Sequence, residues 1–137
     1  MPVSAEDYVA ISDSLGRYCW ALDNGDEEGW VALWREGGTL LGLGPNPLVG
    51  REALRHVVRK FGEYAGRRRH LAGNLFCDYG EDRNAINAKF YNFISEWSDA
   101  GGTAALFAIG ESTYIYEDRR WLIDRSELRL MGTPRRK

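Results

Sequence analysis

The sequence predicts an α+β fold in which three helices come first and a long antiparallel sheet follows. In the first half of the chain, apolar residues recur at the three- and four-residue steps of a helix face. In the second half, four long segments rich in aromatic and β-branched residues alternate with short turn sequences, which indicates antiparallel hairpins. Helices and strands that are segregated along a chain are typical of α+β domains. Strands of this length must twist and coil, so we expect a curved sheet that wraps around the helices.

The first half contains three predicted helices with separate boundary signals. The first helix has Ser4 as its N-cap and ends in the turn sequence Asp23-Asn24-Gly25-Asp26. The last aspartate of that turn caps a short second helix, which we expect to run to Gly37-Gly38, and Gly50 opens the third helix. Apolar faces at helical spacing support all three: Tyr8, Ile11, Leu15, Tyr18 and Leu22 in the first, Trp30, Leu33 and Trp34 in the second, and Leu54, Val57, Val58 and Phe61 in the third.

The second half contains four predicted strands joined by short turns. They are Leu71–Tyr79, Ala85–Trp97, Thr103–Glu117 and Trp121–Leu130, and a shorter strand is expected earlier, at Thr39–Leu43. The intervening sequences are rich in glycine, aspartate and asparagine, which are typical turn residues. The concave side of such a sheet, closed by helices, is where we expect a ligand pocket.

Length and composition indicate one globular domain over residues 1–137. Apolar residues make up 44% of the chain and charged residues 28%, which are ordinary values for a globular protein. The net charge of −2 argues against a protein built to follow nucleic-acid phosphates. No apolar run approaches the roughly 20 residues that cross a bilayer, and the first residues lack a signal-peptide pattern. We therefore expect a cytoplasmic protein without nucleic-acid or membrane partners.

The chain has two cysteines and two histidines, which form neither a disulfide framework nor a metal-binding motif. We interpret Cys19 and Cys77 as small buried apolar residues, and we expect no metal site. His56 lies within the third predicted helix among basic residues. That setting is typical of a surface or half-buried helix residue.

His70 is the stronger candidate for chemistry because it opens the first long strand. Strand alternation places His70, Ala72, Asn74 and Phe76 on one side of that strand. The small side chain of Ala72 would leave room for a ligand between the histidine and the asparagine. A hydrogen-bonded structural histidine fits the same pattern equally well, so the residues alone leave both roles open.

Asp23 lies at the predicted end of the first helix, where two interpretations remain open. The sequence that contains it is strong turn chemistry, which makes a helix-terminating role sufficient. A carboxylate at a helix C-terminus opposes the macrodipole, however, and a nearby histidine would compensate for it. Tyr18, five residues earlier, is interpreted as a core residue whose hydroxyl needs a partner once it is buried.

Beyond the predicted helices and strands, a series of short sequence motifs occurs in a fixed order over nearly the whole chain. They are Arg17–Asp26, Trp30, Leu33-Trp34, Val49–Leu54, Arg69–Asn74, Gly110, Tyr114, Tyr116-Glu117 and Arg120–Arg125. Together they resemble the SnoaL-like branch of the nuclear transport factor 2-like superfamily. The resemblance implies one domain over residues 1–137, folded as a cone-shaped α+β barrel. Three helices would pack in a strongly curved, mostly antiparallel sheet around a deep apolar pocket.

Within that branch the chain is similar to the group formed by scytalone dehydratase, bile-acid 7α-dehydratase and hexachlorocyclohexane dehydrochlorinase. Asp23 and His70 match the group's pocket pair of a helix-end aspartate and a histidine at the start of the first long strand. The resemblance implies that Asp23 orients the imidazole and that His70 removes a proton from the substrate. Tyr18 matches a further pocket residue, which implies a hydrogen bond to a developing oxyanion or a departing hydroxyl.

Four further residues are expected to bind the substrate under this resemblance. Asn74 would orient the substrate, and Arg125 matches an arginine of the final strand that would balance negative charge. Asn92 lies in the strand where scytalone dehydratase has a second pocket histidine, and it replaces that histidine only partly. Trp34 would contribute to a ring-lined wall.

The implied function is a small cofactor-independent lyase or isomerase of dehydratase type. It would use a His-Asp dyad to abstract a proton from a hydrophobic, ring-containing substrate in an apolar pocket. Two alternatives remain: a non-catalytic ligand-binding or assembly module related to the small subunits of ring-hydroxylating dioxygenases, and a polyketide cyclase. The resemblance also implies a homodimer or homotrimer, to be formed through apolar positions on the convex face of the sheet.

Overall fold

The computed structural model describes residues 1–131, and within that range it contains three helices and six strands. In chain order they are α1 (Ala5–Asn24), α2 (Glu27–Val31), β1 (Trp34–Leu41), β2 (Leu48–Val49), α3 (Arg51–Gly62), β3 (Arg68–Tyr79), β4 (Ala85–Ser98), β5 (Gly101–Glu117) and β6 (Arg120–Met131). The strands form one curved sheet in the order β2-β1-β6-β5-β4-β3. All neighbours are antiparallel except β1 and β6, which are parallel. The predicted α+β class and the predicted order of helices and strands are confirmed.

The ends of α1 follow the predicted signals, and its C-terminus places the candidate aspartate. The Ser4 hydroxyl accepts a hydrogen bond from the backbone N–H of Asp7 at 3.1 Å, as an N-cap does. After the last turn, Gly25 adopts φ +66°, which glycine adopts without the Cβ strain of other residues. The backbone N–H of Asp26 then bonds the carbonyl of Ala21 at 2.9 Å, which closes the helix in a Schellman motif. Asp23 is thereby fixed in the last turn of α1.

The predicted second helix is too long, because α2 ends at Val31 and Trp34 begins β1. Trp34 pairs with Ile123 of β6, and the backbone N–H of Ile123 bonds the carbonyl of Leu33 at 2.8 Å. A helix of a few residues has little stability of its own, so pairing with a neighbouring strand decides the conformation. Both Trp30 and Trp34 are fully buried all the same.

The alternation predicted for β3 is interrupted by a bulge. The register of β3 against β4 shifts between Gly73 and Phe76, and Asn74 has a φ of +52°. Two residues of a bulged strand oppose one residue of its partner, so the faces exchange after it. Phe76 is therefore 55% exposed, whereas Cys77 faces the core. The expectation that Phe76 and Asn74 share a face with His70 is wrong for this reason.

The core fills the space between the helices and the concave face of the sheet. Its centre is a cluster of three aromatic rings, with centroids 5.2 Å apart for Tyr18 and Trp30 and 5.2 Å apart for Trp30 and Trp34. Cys19 and Cys77 are buried free thiols, as expected. Over residues 1–131 the structure has no helix that is both long and apolar enough to span a membrane.

Candidate active site

The last turn of α1 and the first residues of β3 bring Asp23 and His70 together. The Asp23 carboxylate lies 2.6 Å from His70 Nδ1 and also accepts the backbone N–H of His70 at 3.0 Å. Both side chains are almost completely buried, with exposed fractions of 2% for His70 and 6% for Asp23. These donors offset the repulsion between the carboxylate and the negative end of the helix dipole. Of the two roles left open by the sequence, Asp23 thus has the expected compensation by histidine.

This contact determines which imidazole nitrogen is available for chemistry. An aspartate carboxylate only accepts hydrogen bonds, so His70 Nδ1 carries the proton that is shared with Asp23. Nε2 of the neutral ring then has a free lone pair, and no residue in 1–131 makes a hydrogen bond to it. A basic nitrogen whose tautomer is fixed by a carboxylate is the arrangement of a positioned general base.

A small cavity adjoins the dyad. Its volume is about 50 Å³, and its lining is mostly apolar: Tyr18, Leu22, Leu43, Val57, Phe61, His70, Asn92, Ile94, Leu106, Ala108, Leu128 and Leu130. An engineered apolar cavity of about 150 Å³ binds benzene, whereas a volume of about 50 Å³ suits only a few waters. A ring-containing ligand therefore enters only if lining side chains move apart.

Two of the polar lining residues complement the dyad. Burial raises the pKa of Tyr18 far above its ordinary value, so its hydroxyl remains protonated and can donate a hydrogen bond. Asn92 lies between the small residues Ala72 and Ala108 on the neighbouring strands, and its Oδ1 is buried without a partner among residues 1–131. A buried acceptor without a partner costs about 1–3 kcal/mol, so a ligand that donates a hydrogen bond here gains a favourable contact.

The structure leaves three of the predicted substrate-binding residues out of the cavity lining. Asn74 is exposed in the β3 bulge, and Trp34 packs against Trp30 inside the core. Arg125 is half exposed on the outer side of β6, where it pairs with Glu127 at 3.0 Å. The cavity thus unites Tyr18, Asn92 and His70, with Asp23 directly behind the histidine. Over residues 1–131 no cluster of three metal-ligating side chains is present.

The sequence interpretation missed the residues that close the cavity. The ring of Phe61 lies against the imidazole of His70, with centroids 5.4 Å apart and planes inclined by 52°. Val57 and Leu43 line the cavity beside it. Phe61 and Val57 belong to the apolar face predicted for the third helix, but helical spacing does not distinguish a core residue from a cavity wall. Leu43 was predicted to end a strand over Thr39–Leu43, but β1 ends at Leu41, so Leu43 lies in the following loop, where no pattern marked it as a cavity wall.

Comparisons with known proteins agree with this fold. The family model of the SnoaL-like domain matches residues 3–127 of the chain. Aln2 from a Streptomyces species superposes with a TM-score of 0.86 at 19% identity, covering 95% of this chain and 94% of that chain. A scytalone dehydratase-like protein of Novosphingobium aromaticivorans gives a TM-score of 0.79 at 20% identity, with coverages of 92% and 85%.

A third solved structure contains a small ligand. It is a protein of Catenulispora acidiphila in complex with S-DNPA, which gives a TM-score of 0.76 at 25% identity and covers 93% of this chain and 95% of that chain. No curated protein sequence matches the chain. The likenesses below 25% identity establish the fold.

Proposed function

The chain belongs to the SnoaL-like family, and on that premise we propose that it is a cofactor-independent lyase or isomerase of dehydratase type. The observation that carries the proposal is the buried contact of 2.6 Å between Asp23 and His70, which leaves Nε2 as the free nitrogen beside an apolar cavity. The similar fold of a scytalone dehydratase-like protein and the S-DNPA complex of another relative support a small organic substrate.

The proposed reaction begins with proton abstraction by His70. Nε2 takes a proton from a carbon next to a carbonyl group, and Asp23 stabilises the imidazolium that forms. The electron pair of the broken C–H bond forms a carbon–carbon double bond as a hydroxyl group leaves. The departing hydroxyl takes the proton back from the imidazolium and leaves as water. In an isomerisation, the imidazolium returns that proton to a different carbon instead.

Tyr18 and Asn92 would orient and polarise the substrate. The protonated hydroxyl of Tyr18 donates a hydrogen bond to the carbonyl oxygen as negative charge develops there. The unpaired Oδ1 of Asn92 accepts a hydrogen bond from a substrate hydroxyl. The apolar walls exclude water, which strengthens both contacts. The substrate class is therefore a hydrophobic ring system that carries a carbonyl and a hydroxyl group.

Hydrogen exchange at carbon tests this proposal without knowledge of the leaving group. Cyclic hydroxyketones are incubated with the protein in D₂O, and deuterium incorporation next to the carbonyl is followed by NMR. We expect His70→Gln to slow the exchange by about 10²–10⁴-fold, which is the usual contribution of a general base. Lys89→Gln is the control because Lys89 is exposed on the outer face of the sheet and lines neither the cavity nor its entrance, so its exchange rate should match that of the unsubstituted protein. Undiminished exchange in His70→Gln would contradict the proposal.

His70→Gln and Asp23→Asn together distinguish the lyase from the two alternatives, a binding module and a polyketide cyclase. A non-catalytic binding module predicts that His70→Gln binds ring ligands normally and that the unsubstituted protein exchanges no carbon-bound hydrogen. A polyketide cyclase relies more on an acid than on a base, so it predicts a larger loss in Asp23→Asn than in His70→Gln.

We also propose that the protein self-associates as a homodimer or homotrimer through the convex face of the sheet. Leu71, Phe93, Phe107 and Met131 lie opposite one another in register across β3, β4, β5 and β6. Leu71 is 70% exposed and Phe107 is 54% exposed, so this face presents a continuous apolar row to solvent. Sedimentation analysis is expected to give the monomer mass for Phe107→Lys and a multiple of it for the unsubstituted protein. If both proteins had the same mass, this surface would not be the interface between subunits. The cytoplasmic location stays a prediction.

A further inference from the structure

An open groove lies on the outer side of the small cavity, between α3 and the loop after β1. This outer groove has a volume of about 440 Å³ and is lined by Leu43, Leu48, Ala53, His56, Val57, Lys60, Phe61, Tyr64 and Arg68. Three of these residues, Leu43, Val57 and Phe61, also line the inner cavity. They form a thin apolar partition between the two spaces, with Phe61 in contact with the His70 ring.

The size of the two spaces indicates that they serve one ligand. The inner cavity holds the dyad but has a volume of only about 50 Å³, whereas sites for small organic molecules usually have about 300–1,000 Å³. The outer groove reaches that range without any rearrangement. If the Phe61 side chain rotates away from His70, the groove and the cavity become continuous.

The charges around α3 are distributed unevenly. Arg55 and Arg59, one turn apart, form ion pairs with Glu28 and Glu27 of α2. His56 and Lys60 repeat the same spacing one position later, and they face the groove. Lys60 forms no ion pair within residues 1–131. The arginines on one side of the helix are therefore neutralised, whereas Lys60 on the groove side has no ionic partner among residues 1–131.

The remaining cation of the groove is already engaged. Arg68 pairs with Glu96 at 2.7 Å and lies over the Tyr64 ring at 3.7 Å. No carboxylate of residues 1–131 lines the groove, and its lining apart from His56, Lys60, Tyr64 and the already paired Arg68 is apolar. The chain as a whole has a net charge of −2, so long-range attraction of an anion is weak and such a ligand is recognised at short range.

We propose that the outer groove is the second half of the substrate site and binds a carboxylate of the substrate beside Lys60. The proposal rests on the function proposed above and narrows the substrate class to ring-containing organic acids. The ring passes the partition at Phe61 and enters the cavity beside His70, while the charged end remains in the groove. The ammonium of Lys60 forms a charge-assisted hydrogen bond to the carboxylate.

The two histidines provide one reporter for each space. His56 lines the groove and His70 lines the cavity, so in an untagged protein the two imidazole signals report the two halves of the site separately. The probe is 1-naphthylacetate, and its neutral isostere is 1-naphthylacetamide. NMR titration of histidine-labelled protein gives a dissociation constant for each probe. We expect 1-naphthylacetate to shift both imidazole signals with one common dissociation constant.

Substitution of Lys60 then tests the charge. We expect Lys60→Gln to weaken the binding of 1-naphthylacetate about threefold and Lys60→Glu to weaken it about tenfold, as for a partly exposed charged contact. Binding of the amide should change in neither variant. Lys89→Gln is the matched control, because Lys89 is exposed on the outer face of the sheet and lies 3.7 Å from Glu111.

Two results would overturn the proposal: equal affinity of Lys60→Glu and the unsubstituted protein for 1-naphthylacetate, or an unmoved His56 signal while the His70 signal shifts. Failure here is distinguishable from failure of the proposed function. Loss of hydrogen exchange in His70→Gln together with an unmoved His56 signal removes only the groove. Conversely, binding that depends on Lys60 in a protein that exchanges no hydrogen removes only the catalysis.

Discussion

The two ends of α1 each hold an aspartate that is bound to a residue of β3, yet only one of them forms a candidate active site. At the N-terminal end, the Asp7 carboxylate accepts hydrogen bonds from the Tyr79 hydroxyl and from Trp121 Nε1, the latter at 2.9 Å. At the C-terminal end, the Asp23 carboxylate accepts two N–H groups of His70. The same helix is thus fixed to the same strand twice by the same chemical group.

The helix dipole and the partners make the two ends different. Asp7 lies in the first turn, where the dipole favours a negative charge, and the Tyr79 hydrogen bond holds its pKa below the ordinary value. Once they donate to Asp7, the tyrosine and tryptophan side chains have no basic nitrogen that could accept a proton from a substrate. Asp23 lies where the dipole opposes it, and its partner His70 lines a cavity and keeps Nε2 free of hydrogen bonds within residues 1–131. A buried carboxylate thus gains a chemical role from its partner and from the space next to it.

The largest expected effect comes from the same substitution at both ends of the helix. Asp23→Asn retains an oxygen for the backbone N–H of His70, but its amide group donates to Nδ1 and moves the ring proton to Nε2. We expect hydrogen exchange at the substrate carbon to slow by about 10²–10⁴-fold, because Nε2 no longer has a free lone pair. Nitrogen shifts of His70 should report the exchanged tautomer, with His56 as the internal reference.

Asp7→Asn is the control for that experiment, and its exchange rate should match that of the unsubstituted protein. If Asp23→Asn retained both the rate and the original tautomer, the two ends of the helix would be equivalent and Asp23 would have a structural role only.

The second effect concerns stability at the N-terminal end. Because the pKa of Asp7 is lowered on folding, its contribution is complete above the ordinary carboxyl value of 3.8 and is lost as the pH falls through the folded value. We expect Asp7→Asn to reduce the free energy of unfolding at pH 7 by about 1–2 kcal/mol, because two hydrogen bonds to a partly exposed charged group are weakened. The difference should shrink at pH 3.

Urea denaturation at both pH values measures this difference. Asp13→Asn is the matched control, since Asp13 lies on the same helix and its side chain bonds, within residues 1–131, only the exposed side chain of Arg17. Asp13→Asn should change the free energy of unfolding by no more than about 0.5 kcal/mol at either pH. A pH-independent loss in Asp7→Asn would show that the charge of Asp7 has no part in fixing the helix.

The sequence predicted the helix ends well and parts of the sheet poorly, for physical reasons. The end of α1 at Asp23 was predictable because the turn around Gly25 is encoded locally, and the histidine at the start of the strand followed from the family pattern. The bulge at Asn74 was not predictable, because apolar residues occupy both faces of β3, with Leu71 and Phe76 exposed and Cys77 buried, so the hydrophobic pattern hides the exchange of faces. Trp34 was misplaced because its strand conformation depends on pairing with β6, far away in the sequence.

The smallest expected effect is a difference in stability between a substitution beside the candidate active site and one elsewhere on the same strand. The Asn92 Oδ1 is buried without a partner among residues 1–131, so its burial destabilises the fold. Asn92→Leu has a similar shape without the polar atom, and we expect it to raise the free energy of unfolding by about 1 kcal/mol. Asn87→Leu is the control on the same strand, because the Asn87 Oδ1 accepts a hydrogen bond from Thr113 at 3.1 Å. Removing that hydrogen bond should not raise the free energy of unfolding.

Urea denaturation compares the two variants, and hydrogen exchange shows whether the stabilised protein has lost activity. A site selected for function is expected to gain stability when its polar group is removed, whereas equal responses at both positions would assign Asn92 an ordinary structural role.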